Sequence, residues 1–238
     1  MSGDTALEPL VSSGTDSLLL PPSKGKWIQK EYHEFHKSMM MDIAMLLNHH
    51  HQTDLVEAPC SYDSTMTKVA RQVGLTTERW TIDYNLSTES GILQAERRLR
   101  QIRPRRLWLM PECGRNNFKQ WQNCIRLAWL QLELGGYFYI EQPQTCITWK
   151  LKDTFTRQLL DNLSSYCIRD QCFDGLIHPE SGKPVRQVSR IQSNDYSFTL
   201  YFGQRCVGHE TEHTTAIFIA DTSHYPKPFC ARAVQLWK

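Results

Sequence analysis

No apolar run in the chain approaches the roughly 20 residues that a membrane-spanning helix needs, so no such span is expected. Met1 to Ser23 lacks a basic stretch followed by an apolar core, and a secretory signal is not expected either. A phosphate-binding P-loop is absent. So is the nucleophile-elbow sequence of the Ser/His/Asp hydrolases. With a formal net charge of only +2, bulk charge does not point to nucleic acid. A disulfide framework is not expected. The eight cysteines are scattered over 238 residues and read as free thiols, with room for a metal site, in an intracellular chain, nuclear or cytoplasmic.

What is present suffices for one large core. Residues of hydrophobic type make up 40% of the chain, as in soluble globular proteins. Residues 1–24 are rich in Ser, Gly, Pro and Thr and read as a disordered leader. Residues 25–52 read as a helical arm, with Trp27, Tyr32, Phe35, Met39, Ile43 and Leu46 at roughly helical spacing. His49, His50 and His51 read as its solvated end. From 53 to 238 strands and helices alternate. Strands are expected near 53–58, 78–82, 106–110, 137–140 and 165–172. Helices are expected near 64–73, 88–102, 117–134, 151–163 and 226–236. Ser64 is a fitting N-cap for the first of these, Thr88 or Ser87 for the second, and Gly74 and Pro104 are fitting stops. Beyond 173 the pattern is less regular. Such alternation predicts an α/β fold, a Rossmann-like, doubly wound and mostly parallel sheet with helices on both faces.

Four strand ends carry polar groups: Glu57 to Ser61, Asp83, Pro111 to Gly114, and Glu141 to Pro143. In a doubly wound sheet these ends share the carboxyl edge, where ligands bind. An acid after the second strand suits the two hydroxyls of a ribose, so Asp83 points to a nucleoside-bearing cofactor. Arg97, Arg98, Arg100, Arg103, Arg105 and Arg106 crowd ten residues. They read either as a solvated helix face or as a phosphate-binding patch. Late in the chain Cys206, His209 and His213 have short metal-ligand spacings. Cys172 or Cys167 could supply a fourth ligand, a set that suits zinc.

The motif order carries a resemblance. Pro111-Glu112-Cys113-Gly114 follows a Trp-containing strand. Glu141-Gln142-Pro143 and Trp149 come next, then Cys172-Phe-Asp-Gly175-Leu. After these stand Pro184-Val-Arg186 with Arg190 and Asn194, Arg205-Cys206-Val-Gly208-His209, and Tyr225-Pro226. From about residue 53 onwards this resembles the catalytic half of cytosine-carbon-5 DNA methyltransferases. It is more closely similar to methyltransferase-like proteins associated with mobile elements in microbial eukaryotes. No Asp-Pro-Pro-Tyr-like tetrapeptide is present, which disfavours an adenine methyltransferase.

The resemblance implies S-adenosylmethionine as cofactor and nucleic acid as partner. Glu57, Ala58, Cys60, Ser61, Asp83 and Pro111 would border the cofactor. Cys113 would attack carbon 6 of a pyrimidine as a thiolate. Glu141 would hold or protonate the ring nitrogen. Arg186 or Arg190 would steady the base carbonyl or a nearby phosphate, and the base would have to leave the duplex. The chain departs from that pattern after Gly114, where Arg115-Asn116-Asn117-Phe118 replaces the usual aromatic and Ser residues, and in two further places. The turn Ala58-Pro59-Cys60-Ser61-Tyr62-Asp63 has no glycine to admit a cofactor closely. Glu112 sets a negative charge beside Cys113. These departures support an alternative, a non-catalytic nucleic-acid-binding or assembly module of a mobile element on the same fold.

Overall fold

Strand residues divide by parity, as a sheet covered on both faces requires. Val56, Ala58, Leu107, Leu109, Phe138 and Ile140 belong to one buried cluster. Their neighbours Leu55, Trp108 and Tyr139 belong to a second. The computed structural model describes residues 51–210, 212–214 and 225–238. All lie in the unit Met40–Lys238. The leader expected over 1–24, the arm over 25–50 and the histidines His49 and His50 fall outside the described residues.

The strands are β1 (Leu55–Ala58), β2 (Thr77–Arg79), β3 (Arg106–Leu109), β4 (Tyr137–Pro143), β5 (Ser165–Asp170) and β6 (Val188–Ser193). The helices are α1 (Thr65–Gln72), α2 (Glu89–Ile102), α3 (Phe118–Glu133), α4 (Thr154–Arg157), α5 (Tyr196–Phe202) and α6 (Lys227–Leu236). The six strands form one sheet in the order β2-β1-β3-β4-β6-β5. The first four run parallel, whereas β6 is antiparallel to both β4 and β5. The fold is thus α/β with a mixed, mostly parallel sheet.

Residues of α2 and α3, including Ile92, Leu99, Trp121 and Ile125, cover the first face. Residues of α1, α5 and α6, including Met66, Phe198 and Phe229, cover the second, together with Trp237 just past α6. Trp108 is the hub of that second face. Its ring lies 5.3 Å from Tyr139, 6.0 Å from Phe198 and from Tyr225, 6.2 Å from Phe229 and 5.9 Å from Trp237. Centroid spacings of this size favour edge-to-face and offset contacts.

Several expectations need correction. The second strand stops at Arg79, because Thr81 O accepts Tyr84 N at 2.9 Å and turns the chain at Ile82 and Asp83. The helix expected over 151–163 is α4 followed by a π turn, Gln158–Asn162. Asp153 caps α4 by accepting from Thr156 N at 2.8 Å. The strand expected over 165–172 ends at Asp170, and Gln171–Asp174 form a 3₁₀ turn. Two elements escaped the pattern altogether, β6 and α5. The polar residues Ser189, Gln192 and Ser193 of β6 are fully buried, so their strand carries no apolar signature.

Candidate functional site

The carboxyl ends of β1, β2, β3 and β4 enclose a cavity of about 840 Å³. That is within the range of about 300–1,000 Å³ typical of small-molecule sites. From the β1 turn come Pro59, Cys60 and Ser61; from the stretch after β2, Thr81, Ile82 and Tyr84 to Ser87. From the β3 end come Met110 to Cys113, and from β4 Glu141 to Pro143. Gln120, Gln171, Gln187 and Tyr225 complete the lining.

Glu141 is the buried acid of the site. Its Oε2 accepts from Tyr225 Oη at 2.8 Å, and the Ser189 side chain is a second hydrogen-bond partner. Burial pushes its pKa above the ordinary carboxylate range, more than these two hydrogen bonds lower it. Its Oε1 is buried with no hydrogen-bond partner among the described residues. Tyr225 Oη in turn accepts from Trp108 Nε1 at 3.1 Å, which fixes the phenol from behind.

The Pro111–Cys113 turn is held from three sides. Gln142 Nε2 donates to Pro111 O at 2.9 Å. Gln120 Oε1 accepts from Glu112 N at 2.7 Å, and Asn117 Nδ2 donates to Glu112 Oε2 at 3.1 Å. The third tie corrects the expectation of free thiols: Cys113 is disulfide-bonded to Cys146, with Cα atoms 5.7 Å apart. Cys146 follows Pro143, and its N donates to Pro143 O at 2.9 Å, which carries it beside the β3 turn. The other six cysteines are free thiols. In the disulfide form Cys113 has no thiolate to offer.

The remaining expected residues divide. Cys60, Ser61 and Pro111 line the cavity; Glu57, Ala58 and Asp83 do not. Glu57 is buried and accepts from Ser64 Oγ at 2.5 Å. Ala58 packs in the core and precedes a cis peptide to Pro59. The Cys60 thiol is pushed up to about 12, by burial first and by the neighbouring Glu57 second. Asp83 turns to Tyr62 Oη and Thr81 Oγ1, both at 3.2 Å, while its neighbours Ile82 and Tyr84 face the cavity. Arg186 and Arg190 are not brought to the cavity. Arg186 is exposed. The Arg190 guanidinium lies 4.5 Å over the Trp149 ring and 4.2 Å over Tyr166, a cation–π sandwich.

Tyr225, Gln120, Gln171 and Gln187 belong to the site without having been expected there. Tyr225-Pro226 stood in the motif order, but nothing local indicated that its phenol would reach β4. The arginine cluster also divides. Arg98 pairs with Glu78 at 2.7 Å, and Arg106 is buried and donates to Trp237 O at 2.5 Å. Arg97, Arg100, Arg103 and Arg105 stay exposed.

Cys172, Cys206, His209 and His213 form a group that could hold a metal ion, their ligand atoms all within 4.8 Å of one another. Cys167 is not part of it; it is buried in the second core cluster. Cys206 Sγ lies 3.4 Å from His213 Nε2 and accepts from Gly208 N at 3.3 Å. Gly208 has φ 118°, a conformation that L side chains rarely adopt, and it lets the chain wrap the sulfur. No helix among the described residues is long and apolar enough to cross a membrane. Compared with known proteins, the chain matches no family model, no curated protein and no solved structure.

Proposed function

We propose that the chain is a Rossmann-like, methyltransferase-type protein that acts on a pyrimidine base of nucleic acid, with S-adenosylmethionine as methyl donor. One observation carries the reading. Cys113 and Glu141 stand at the ends of neighbouring strands and line one cavity. The strand order supports it too. The chain steps from β1 outwards to β2, then returns to the other side of β1 as β3. That reversal is a topological switch point, where doubly wound sheets bind ligands at the carboxyl edge.

The cavity suits the adenosine half of the cofactor. Ile82 is 78% exposed yet lines the cavity, and with Leu86 it offers an apolar shelf for a base. Asn85 and Ser87 add polar atoms beside it. Pro59 and Cys60 would border the methionine half, and the Cys60 N–H is already used by Trp80 O at 3.1 Å. Ser61 is the polar residue this turn presents to it. The cofactor supplies, when bound, an electrophilic methyl group. Cys113, freed from Cys146 by two-electron reduction with a thiol, adds as a thiolate to carbon 6 of the base. Glu141, whose neutral form burial favours, would hold the ring by a hydrogen bond. Carbon 5 would then take the methyl group, with S-adenosylhomocysteine as the leaving group, and loss of the carbon-5 proton with expulsion of the thiolate would give the 5-methylated base and restore Cys113.

A second reading rests on the Cys113–Cys146 bond and the glycine-free β1 turn. In it the domain binds nucleic acid for a mobile element and performs no chemistry. For the Cys172, Cys206, His209 and His213 group, the reading is a structural zinc ion.

Calorimetry with S-adenosylmethionine, followed by trapping on a fluorocytosine oligonucleotide under thiol reduction, separates the two. The enzymatic reading expects cofactor binding and a covalent adduct that Cys113→Ser abolishes. No heat at millimolar cofactor and no adduct would sink it. Oligonucleotide binding that survives Cys113→Ser without an adduct is the result expected of the second reading.

A further inference from the structure

The metal-ligand group is one residue from the wall of the cavity. Gln171 lines the cavity, and Cys172 follows it. Gln171 Nε2 donates to Ser189 Oγ at 2.7 Å, and the Ser189 side chain is hydrogen-bonded to Glu141. Gln171 N also donates to Gln187 O at 2.9 Å, a second wall residue. On its other side Asp170, at the start of the same turn, holds the stretch that carries Cys206. Asp170 N donates to Gln204 O at 3.0 Å, and Asp170 Oδ2 accepts from Cys206 N at 2.8 Å. His213 precedes Thr214, which bridges to Val185. One short turn thus sets the pocket-wall residue Gln171 beside the metal ligand Cys172.

We infer that a tetrahedral zinc ion held by Cys172, Cys206, His209 and His213 braces the cavity wall, and through Gln171 and Ser189 sets the hydrogen bonding of Glu141. The inference rests on the zinc reading above and adds what the ion does. Described residues 203–210 and 212–214 form no helix or strand, and Val207 is 96% exposed. Little packing holds such a stretch, so ordering it falls to the ion, as in other small zinc sites. Usual zinc–sulfur and zinc–nitrogen lengths put ligand atoms about 3.3–3.8 Å apart in a tetrahedron. Cys206 and His213 already meet that spacing at 3.4 Å. All four ligand atoms lie within 4.8 Å of one another, and His209 is exposed. Two thiolates balance the charge of the ion.

The test uses the full chain, purified reduced, before and after removal of metal by a chelator. Expected are about one zinc per chain and, after cobalt exchange, a thiolate charge-transfer band with intense tetrahedral visible bands. Less than about half an equivalent of zinc with no cobalt bands would overturn the zinc reading itself. With metal bound, the brace is read separately. Stripping the ion should raise amide hydrogen exchange several-fold over Asp170–Cys172 and Val188–Arg190 and leave α2 unchanged. It should also shift the protonated-carboxyl infrared band that Glu141→Gln lacks, in mildly acidic buffer. Gln171→Leu should keep the cobalt spectrum and give the same band shift. Metal that binds while exchange and band stay as they were would overturn the brace alone.

Discussion

Glu141 stands in a place where a charge is costly. Burial raises its pKa, so below the ordinary carboxylate range its contribution to stability is fully present, and it is lost as pH rises through the higher folded value. The slope follows because the folded chain then holds a proton that the unfolded chain has released. Glu141→Gln removes the titration. Urea midpoints should therefore fall with pH in the wild type more steeply than in the variant, from mildly acidic conditions upwards. Parallel curves would show that Glu141 is not the group responsible. Tyr225 is its partner at 2.8 Å and also takes the Trp108 N–H at 3.1 Å. Tyr225→Phe takes the acceptor from the buried Trp108 N–H and leaves Glu141 with Ser189 alone of its two partners. The expected cost is about 1–3 kcal/mol in chemical denaturation, the usual penalty for a buried polar group left unpaired.

The start of α2 is where an element builds the site. Thr88 Oγ1 accepts from Gly91 N at 3.1 Å and donates to Asn85 O at 2.9 Å, so the N-cap folds the Asn85–Ser87 wall back on the helix. A Cβ on Gly91 would meet Asn85 O at 2.0 Å, a clash with backbone that cannot swing away. Gly91→Ala should therefore cost about 1–3 kcal/mol, the usual range for overpacking, despite alanine's better helix propensity. It should also weaken ligand binding in the cavity, since Asn85 is the residue displaced. An unchanged midpoint together with unchanged binding would mean that this turn yields freely. Elements of this kind were legible in the sequence because their signals are local. The Thr88 cap, the Gly74 stop and the apolar runs of β1, β3 and β4 each act within a few residues. β6 was not legible. Three of its four buried residues are polar, Ser189, Gln192 and Ser193, satisfied by partners such as Gln171, Ser164 and Phe138 O that are distant in sequence. The convergence of Cys113 and Glu141 on one cavity followed from strand ends that share the carboxyl edge. The Cys113–Cys146 bond, the Tyr225 hydrogen bond and the turning away of Asp83 depend on pairings that no local pattern encodes.

Across the Met40–Lys238 unit the sheet has two chemically different edges. The cavity lies beyond the carboxyl ends of the parallel strands. The exposed arginines lie at the other end: α2 ends at Ile102, and β3 begins at Arg106. Arg103 closes α2 in a left-handed conformation, φ 41°, directly before Pro104. The length of β3 alone separates the two edges by roughly 13 Å, at about 3.3 Å per residue. A ligand confined to the cavity therefore does not touch Arg97, Arg100, Arg103 or Arg105. A nucleic-acid strand could reach them only along a second surface. Charge reversal of these four, leaving Arg98 with Glu78 and Arg106 with Trp237, separates the two edges by experiment. Small-ligand binding in the cavity should be unchanged within about twofold. If the edge binds phosphates, oligonucleotide affinity should drop, and the slope of log affinity against log salt should shrink by about one for each phosphate no longer neutralised. An unaltered slope would remove this edge as a nucleic-acid surface and leave the cavity to hold whatever base is bound.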